Sequence, residues 1–190
     1  MEDTDVIIAG LGAMGSASAY QLSRRGLSVR GFDRFTPPHN QGSSHGRTRI
    51  IREAYFEHPV YVPLVQRAYE LWFEVEKQTG RTLLCQTGGL TLGAPSGAVF
   101  PGAKRSAEEH GLPHEILSGQ EITRRFPAIK PAPEMMAVWE PRAGFLYPEA
   151  CIDAHLQLAK KQRAIIHTEE YVVSWRETSG AILVTTNRGE

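Results

Sequence analysis

The chain has 190 residues, 41% of them hydrophobic, and its 21 basic and 21 acidic residues give a formal net charge of zero. This length allows one or two domains with a sizeable core, and a neutral chain has no net field to draw it to nucleic acid or to an anionic membrane. The first apolar stretch is broken by glycines and preceded by acids, so we expect neither a signal peptide nor a membrane span but a cytoplasmic protein.

The segment 5–33 predicts a complete strand, glycine turn, helix and second strand. Residues 6–9 form a short apolar run, which is typical of a parallel strand buried on both faces. A helix is predicted over 13–25, with Gly26 in the position of a left-handed C-terminal cap. The second strand is predicted over 29–33, so this segment predicts an α/β domain.

Three glycines, Gly10, Gly12 and Gly15, have the G-x-G-x-x-G spacing of a dinucleotide-binding turn. The first allows the tight turn, the second lets the backbone approach a pyrophosphate, and the third lets the helix pack closely on the strand. Backbone N–H groups at the start of the helix would face the phosphates. Asp33 follows at the distance where a carboxylate can accept hydrogen bonds from a ribose, which disfavours NADP and leaves NAD and FAD open.

The long connection that follows Asp33 is rich in glycine, hydroxyl and arginine side chains. Residues 42–46 offer close backbone approach and hydroxyl groups, which suit a loop that wraps a polar cofactor. Arg47, Arg49 and Arg52 bring three permanent positive charges that could grip a carboxylate or hold negative charge near a redox centre. A solvated basic loop is the alternative, and the chemistry of these residues alone leaves both readings open.

The middle of the chain predicts a separate lobe over 86–148, inserted between segments 1–85 and 149–190 of the first domain. The elements expected from periodicity and from turn residues are a helix over 62–79 stopped by Gly80, a strand pair or bent strand over 82–92 around Gly88 and Gly89, a helix over 103–110, a helix that starts at the Ser118–Glu121 capping box and ends at Pro127, and a strand over 136–140.

The last segment predicts a helix over 150–162 and strands at 165–166, 171–175 and 181–186. Arg163 stands where a glycine cap is natural, so either the helix ends differently or a non-glycine residue adopts a left-handed conformation. Residues 187–189 form a turn with no returning strand. We therefore expect the front part of a longer protein, with an open sheet edge.

No metal site is predicted, because the seven histidines are scattered without ligand spacing. His155 is expected to be a packed or half-exposed histidine on its helix rather than a ligand. Cys85 and Cys151 are expected to be reduced structural thiols, since two distant cysteines make no disulfide framework.

The chain resembles the monomeric sarcosine oxidase and N-methyltryptophan oxidase family, FAD-dependent enzymes within the D-amino-acid-oxidase-like group. The motifs that carry the resemblance run through essentially the whole chain: GLGAMG at 10–15, PPH at 37–39, GSSHGRTRIIREAY at 42–55, YVPL at 61–64, LW at 71–72 and TGGL at 87–90. The arginine-rich motif at 42–55 is far more discriminating than the glycine turn at 10–15.

The resemblance implies a Rossmann-like FAD-binding domain of the glutathione-reductase type with an inserted α+β substrate lobe, both truncated in this chain. It also implies FAD as the cofactor. The implied contacts are Gly10, Gly12, Ala13, Met14 and Gly15 at the pyrophosphate, Asp33 and Arg34 at the adenosine ribose, Gly42, Ser43, Ser44, His45, Thr48, Arg49 and Ile50 along the flavin, and Val172 at the adenine.

The implied catalytic residues are His45 and Arg49, close to the flavin ring, and Arg52, which matches the arginine that holds the substrate carboxylate. The expected reaction is oxidation of a secondary amine of an N-methyl or cyclic amino acid by oxygen, giving an imine and hydrogen peroxide. The full-length protein is expected to be a monomer, and its partners a small amino-acid substrate and oxygen, with no nucleic acid or membrane.

Some positions depart from the family pattern. Position 44 is Ser where some members have a second His, and Leu11 is bulkier than the residue usual inside the glycine turn. The family's second half, with a catalytic lysine and the cysteine that carries the flavin, has no counterpart here, and neither cysteine of this chain matches that attachment position. An NAD-dependent dehydrogenase, or a non-catalytic fragment open to self-association at its sheet edge, therefore remain alternatives.

Overall fold

The computed structural model describes residues 3–189, which form five helices and eleven strands. In chain order these are β1 (Val6–Ala9), α1 (Ala13–Ser23), β2 (Val29–Phe32), β3 (Arg49–Ile51), α2 (Tyr61–Thr79), β4 (Leu84–Cys85), β5 (Gly89–Gly93), α3 (Val99–Glu109), β6 (Glu115–Ser118), α4 (Gly119–Arg125), β7 (Met136–Glu140), β8 (Gly144–Leu146), α5 (Pro148–Lys161), β9 (Ile165–His167), β10 (Val172–Thr178) and β11 (Ala181–Thr186).

The chain divides into two compact units, each built from separated stretches. The first comprises Met1–Thr48, Lys77–Leu83 and Tyr147–Glu190, and the second comprises Arg49–Glu76 and Leu84–Leu146. These bounds differ from the predicted segments 1–85, 86–148 and 149–190, chiefly because 49–76 lies in the second unit. The reason is that β3 pairs there with β8, an interaction between residues distant in sequence.

A parallel sheet in the order β1-β2-β9 forms the centre of the first unit. Its register places Ala9 beside Phe32 and Phe32 beside His167, so the carboxyl ends of the three strands meet at one edge. The prediction that β1 is buried on both faces is wrong: its residues alternate in burial, and Ile7 is 36% exposed. The reason is that β1 is an edge strand of this sheet, with β2 as its only neighbour among residues 3–189.

Helices α1 and α5 pack against each other in the same unit. Small buried residues such as Ser16 and Ala19 on α1 and Ala154 on α5 allow a close approach. The ring of Tyr20 stacks on that of His155 with centroids 5.9 Å apart. His155 is buried, the first of the two predicted options, and its burial lowers its pKa to about 4.

Helix α5 ends in the conformation that the sequence left as one of two options. Arg163 has a φ of +68°, and its N–H donates to the carbonyl of Lys160 at 2.9 Å. A non-glycine residue therefore occupies the left-handed position after the helix. The predicted glycine cap of α1 is confirmed, since Gly26 has a φ of +88°.

Two antiparallel sheets form the second unit, in the orders β3-β8-β4 and β5-β7-β6. The predicted pairing within 82–92 is wrong, because β4 and β5 belong to different sheets. Each pairs with a strand from later in the chain, β4 with β8 and β5 with β7. Strand β7 has the predicted bounds 136–140, whereas β3, β6 and β8 were not predicted as strands.

The capping box at Ser118 is present as predicted. Its hydroxyl accepts from the N–H of Glu121, and the carboxylate of Glu121 accepts from the N–H of Ser118 at 2.9 Å. Helix α4 ends at Arg125, two residues before Pro127. Apolar side chains from α2, α3 and β7 form a core in this unit, including Val62, Phe100, Ala103, Ala107 and Val138.

Neither cysteine forms a disulfide. The turn at 187–189 closes through a hydrogen bond from the N–H of Thr186 to the carbonyl of Gly189, and Glu190 lies outside the described residues. Among the helices of residues 3–189, none has the length and apolarity to cross a membrane.

Replacing Arg163 with glycine tests the strain at the end of α5. A left-handed conformation costs a non-glycine residue about 1–2 kcal/mol, part of which is offset by the greater freedom of glycine in the unfolded chain. We expect Arg163→Gly to raise the free energy of unfolding by about 0.5–1 kcal/mol in urea titrations. Gln162→Gly, at an adjacent exposed residue with φ −87°, is the matched control and should lower it. An equal decrease in the free energy of unfolding in both variants would show that Arg163 is not strained.

The burial of His155 makes stability depend on pH. The folded pKa of about 4 lies below the ordinary value near 6.5, so the unfolded chain binds the proton more readily. About 3 kcal/mol of stability is therefore present above pH 6.5 and lost as the pH falls towards 4. In unfolding titrations at several pH values, His155→Phe should flatten this dependence, while His110→Phe at an exposed site should not. A wild-type slope in His155→Phe would contradict the assignment.

Candidate functional site

The glycine turn between β1 and α1 has the shape that its spacing predicts. Gly10 has a φ of +90°, and a Cβ on Gly15 would lie only 1.9 Å from the carbonyl oxygen of Gly10. The start of α1 therefore touches the end of β1 directly. A Cβ on Gly12 would meet only the Ser44 hydroxyl oxygen, at 3.6 Å, so the opposite side of the turn is open.

The carboxylate of Asp33 holds this turn in place. One of its oxygens accepts from the backbone N–H of Leu11 at 2.7 Å, and the other accepts from the N–H of Phe35 at 2.9 Å. His39 Nε2 lies 3.1 Å from that second oxygen, while its Nδ1 accepts from the N–H of Gln41 at 3.2 Å. Because Nδ1 is an acceptor, Nε2 carries the proton and donates to Asp33.

A cavity of about 210 Å³ lies beside the turn, within the first unit. Its walls are the second glycine, the loop after β2 and one residue of α5: Gly12, Pro37, Pro38, His39, Gly42, Ser43, Ser44 and Ile152. The N–H of Ala13, in the first turn of α1, donates to Ser44 Oγ at 3.3 Å. The loop and the N-terminus of the helix therefore line one concave surface.

The next part of the loop is fixed by backbone contacts. His45 Nδ1 lies 2.6 Å from the carbonyl of Gly42, and the N–H of Gly46 donates to Glu149 Oε1 at 2.9 Å. Ser43, His45 and Thr48 also make further interactions within the structure.

Two further predicted residues lie after β2 and at the start of β10. The guanidinium of Arg34 lies over the ring of Tyr171, 4.2 Å from its centroid. Val172 is the half-buried first residue of β10. Sequence reasoning did not select Tyr171, although an aromatic residue next to the predicted adenine contact was the available signal.

Arg52 lies in the second unit, directly after β3. Its guanidinium lies 4.9 Å from the ring centroid of Tyr55 and 5.5 Å from that of Phe56. Its NH2 group is 3.7 Å from the half-exposed carboxylate of Glu57, and its buried Nε has no hydrogen-bond partner within the described part of the chain. The guanidinium thus lies beside two aromatic rings and one carboxylate beyond hydrogen-bond distance, and its Nε is left without an acceptor within residues 3–189.

Two buried glutamates lie in the same unit and were missed by sequence reasoning. Glu140, 3% exposed, ends β7, and Glu53, 2% exposed, follows Arg52. Burial raises the pKa of both carboxyl groups. It also raises the pKa of the nearby Tyr69 hydroxyl above its usual range, with the two glutamates adding to the effect. A glutamate that ends an apolar strand, as in MAVWE, was the only available signal.

The predicted residues therefore separate into two groups. The first unit holds Gly10, Gly12, Ala13, Met14, Gly15, Asp33, Arg34, Gly42, Ser43, Ser44, His45, Thr48 and Val172, and the second holds Arg49, Ile50 and Arg52. Arg49 and Ile50 belong to β3, where they pair with Leu146 and Phe145. Within residues 3–189, no group of three or more His, Cys, Asp or Glu side chains could hold a metal ion.

Comparison with known protein families gives one match over almost the whole chain. The model for the DAO family, described as FAD dependent oxidoreductase, matches residues 5–190.

Relatives of named activity cover the chain as well. Monomeric sarcosine oxidase of Streptomyces avermitilis is 48% identical over 182 residues, 96% of this chain and 47% of that protein. N-methyl-L-tryptophan oxidase of Yersinia pestis is 40% identical over 150 residues, 79% of this chain and 40% of that protein. The chain thus spans about half the length of the relatives it matches.

Solved structures agree on the fold. NikD, described as an unusual amino acid oxidase essential for nikkomycin biosynthesis, superposes with a TM-score of 0.87 at 25% identity, over 100% of this chain and 49% of that one. L-proline dehydrogenase from P. horikoshii superposes with a TM-score of 0.83 at 23% identity, over 99% and 50%.

Alanine at Gly12 and alanine at Gly15 should separate an effect on cofactor binding from an effect on folding. Gly12→Ala has room for its Cβ, so we expect the free energy of unfolding of the apoprotein to change by less than about 0.5 kcal/mol. Its methyl group would occupy the open side of the turn, and FAD affinity should fall roughly 10-fold or more. Urea titration of the apoprotein and FAD titration by flavin fluorescence measure the two effects.

Gly15→Ala is the matched control, because its Cβ would meet the carbonyl of Gly10. It should lower the free energy of unfolding by more than about 2 kcal/mol. Undiminished FAD affinity in Gly12→Ala would show that no phosphate approaches this side of the turn.

Proposed function

The chain belongs to the DAO family of FAD-dependent oxidoreductases, and from that premise we propose that the complete protein oxidises secondary amines of N-methyl or cyclic amino acids. The observation that carries the proposal is the state of Arg52. A guanidinium held against two rings, with a buried Nε that lacks a hydrogen-bond partner, is suited to an anionic group such as the carboxylate of an amino acid.

The first unit fits the dinucleotide part of FAD. Its glycine turn leaves an open side at Gly12, and the N-terminus of α1 faces that side. The adjoining cavity is lined on one part by glycine and serine and on the other by Pro37, Pro38, His39 and Ile152. We assign the pyrophosphate to Gly10, Gly12, Ala13, Met14 and Gly15. The same proposal treats this unit as a Rossmann-like domain of the glutathione-reductase type.

The adenosine and flavin contacts follow from the family resemblance. We assign the adenosine ribose to Asp33 and Arg34, and the adenine to Val172. Asp33 already accepts three hydrogen bonds, so a ribose hydroxyl would use the remaining lone pair of the oxygen that binds Leu11. The loop residues Gly42, Ser43, Ser44, His45, Thr48, Arg49 and Ile50 are assigned to the flavin.

FAD, when bound, supplies the two-electron oxidation of the amine to an imine and passes the electrons to oxygen, which gives hydrogen peroxide. The residues of this chain bind the substrate and the cofactor and orient them. Arg52 holds the substrate carboxylate, which fixes the position of the amine relative to the carboxylate. Arg49 provides a permanent positive charge where negative charge develops during the oxidation, and His45 is assigned with it to the surroundings of the flavin ring. The imine is then hydrolysed by water to an aldehyde and an amine.

The alternative of an NAD-dependent dehydrogenase is not favoured, because the matched family is FAD-dependent and relatives about 40–48% identical are named as oxidases. We further propose that the full-length protein is a cytoplasmic monomer that needs only its small substrate and oxygen as partners.

Removing the guanidinium of Arg52 should weaken binding of the carboxylate. In the full-length protein we expect Arg52→Ala to raise KM for sarcosine or another N-methyl amino acid roughly 100-fold, since a charge-assisted bidentate contact is lost. Peroxide release measures the rate. Arg105→Ala, at an exposed arginine paired with Glu109 on α3, is the control and should leave KM unchanged.

The outcomes separate the function from the residue role. An active wild type with an unchanged KM in Arg52→Ala would exclude Arg52 as the anchor. A flavin-loaded wild type that releases no peroxide with any secondary amino acid would refute the proposed activity itself.

A further inference from the structure

We infer that Glu140 is a positioning residue for Arg52, which it fixes through the backbone of the turn after β3. The inference rests on the proposed function insofar as Arg52 binds substrate. The contacts that carry it lie entirely within the second unit.

A single oxygen of Glu140 holds two consecutive backbone groups. Oε1 accepts from the N–H of Glu53 at 2.9 Å and from the N–H of Ala54 at 2.7 Å. These are the two residues that follow Arg52, and all three groups are buried. Without Glu140, two buried N–H groups would lose their acceptor, a costly state for a backbone.

The rest of the turn is fixed by contacts of a different kind. The N–H of Tyr55 donates to the carbonyl of Glu53 at 2.8 Å, and the hydroxyl of Ser106 donates to the carbonyl of Tyr55. A Cβ on Gly102 would lie 2.1 Å from the carbonyl oxygen of Phe56, so α3 presses directly on the backbone there. Glu140 supplies the anchor for the two residues directly after Arg52.

The backbone of this turn determines the position of the Arg52 guanidinium. Arg52 lies against Tyr55 and Phe56, which belong to the same turn, and it forms an ion pair with Glu57 at 3.7 Å. A shift of the backbone at Glu53 and Ala54 would therefore move both the base of the arginine side chain and the rings on which it rests. Glu140 acts on substrate binding through this chain of contacts, without touching the substrate.

The role requires an acceptor oxygen rather than a charge. Oε2 of Glu140 makes no hydrogen bond within residues 3–189, and Glu53 Oε1 lies 3.4 Å from the Arg142 guanidinium, at ion-pair but not hydrogen-bond geometry. Arg52, Glu53 and Arg142 are the charged groups beside the site, and Tyr69 contributes a hydroxyl that donates to the carbonyl of Arg142 at 2.9 Å. Glutamine in place of Glu140 keeps an oxygen acceptor and should preserve the turn.

The experiment compares Glu140→Met with Glu140→Gln in the full-length, flavin-loaded protein. We expect Glu140→Met to raise KM for the amino-acid substrate roughly 10-fold while kcat stays within about 3-fold, and Glu140→Gln to restore KM to within about 3-fold of wild type. Glu140→Asp, which keeps the charge but withdraws the oxygen by one methylene, should give an intermediate KM. Glu108→Met, at an exposed glutamate of α3, is the control.

A double variant tests whether Glu140 acts through Arg52. In the Arg52→Ala background, Glu140→Met should raise KM by less than about 2-fold, because the group that it positions is absent. Full additivity of the two effects on KM would overturn the inference.

Hydrogen–deuterium exchange gives a readout that does not depend on activity. Peptides that cover residues 52–56 should exchange faster in Glu140→Met than in wild type, with protection restored in Glu140→Gln. Unchanged exchange in Glu140→Met would overturn the inference even if the enzyme is active. Faster exchange in a flavin-loaded protein that oxidises no secondary amino acid would uphold the positioning of the turn and refute only the proposed function.

Discussion

The carboxylate of Asp33 is the contact on which the first unit's site depends. It stands at the end of β2 and joins two segments that are otherwise separate, the glycine turn through Leu11 and the following loop through Phe35 and His39. Three donors share one buried acceptor group, so its removal would leave the buried N–H of Leu11 without a partner. Together with the hydrogen bond from the N–H of Ala13 to Ser44 Oγ, these contacts hold the loop against the N-terminus of α1, where the cavity lies.

Much of the first unit could be predicted because its signals are local. The G-x-G-x-x-G spacing, the left-handed glycine after α1 and the left-handed option at Arg163 each depend on residues within one turn. The capping box at Ser118 is local in the same way. The features that were not predicted correctly are set by residues distant in sequence. Strands β3, β6 and β8 have only three or four residues each, and the burial of β1 depends on its neighbours in the sheet.

The candidate site, too, was predictable only where the signal is local. Arginine spacing and the family motif selected Arg52, but its supporting Glu140 is 87 residues from the backbone group that it binds at Glu53. A glutamate after an apolar strand predicts a solvent-exposed end. The structure buries it instead, because two N–H groups of a tight turn need an acceptor, and no pattern along the chain records that requirement.

The two groups of site residues place different demands on the chain. A phosphate cradle needs small side chains and backbone donors, as in the glycine turn and the loop around Gly42, whereas a carboxylate anchor needs a charged side chain held rigidly. One continuous stretch supplies both, since residues 42–48 end the first segment of the first unit and Arg49 begins the second unit. Under the proposed assignments, a substitution at 42–50 should act on the cofactor, and a substitution at Arg52 should act on the substrate. The buried acceptors, Asp33 in the first unit and Glu140 in the second, keep each end of the stretch in the geometry that its chemistry requires.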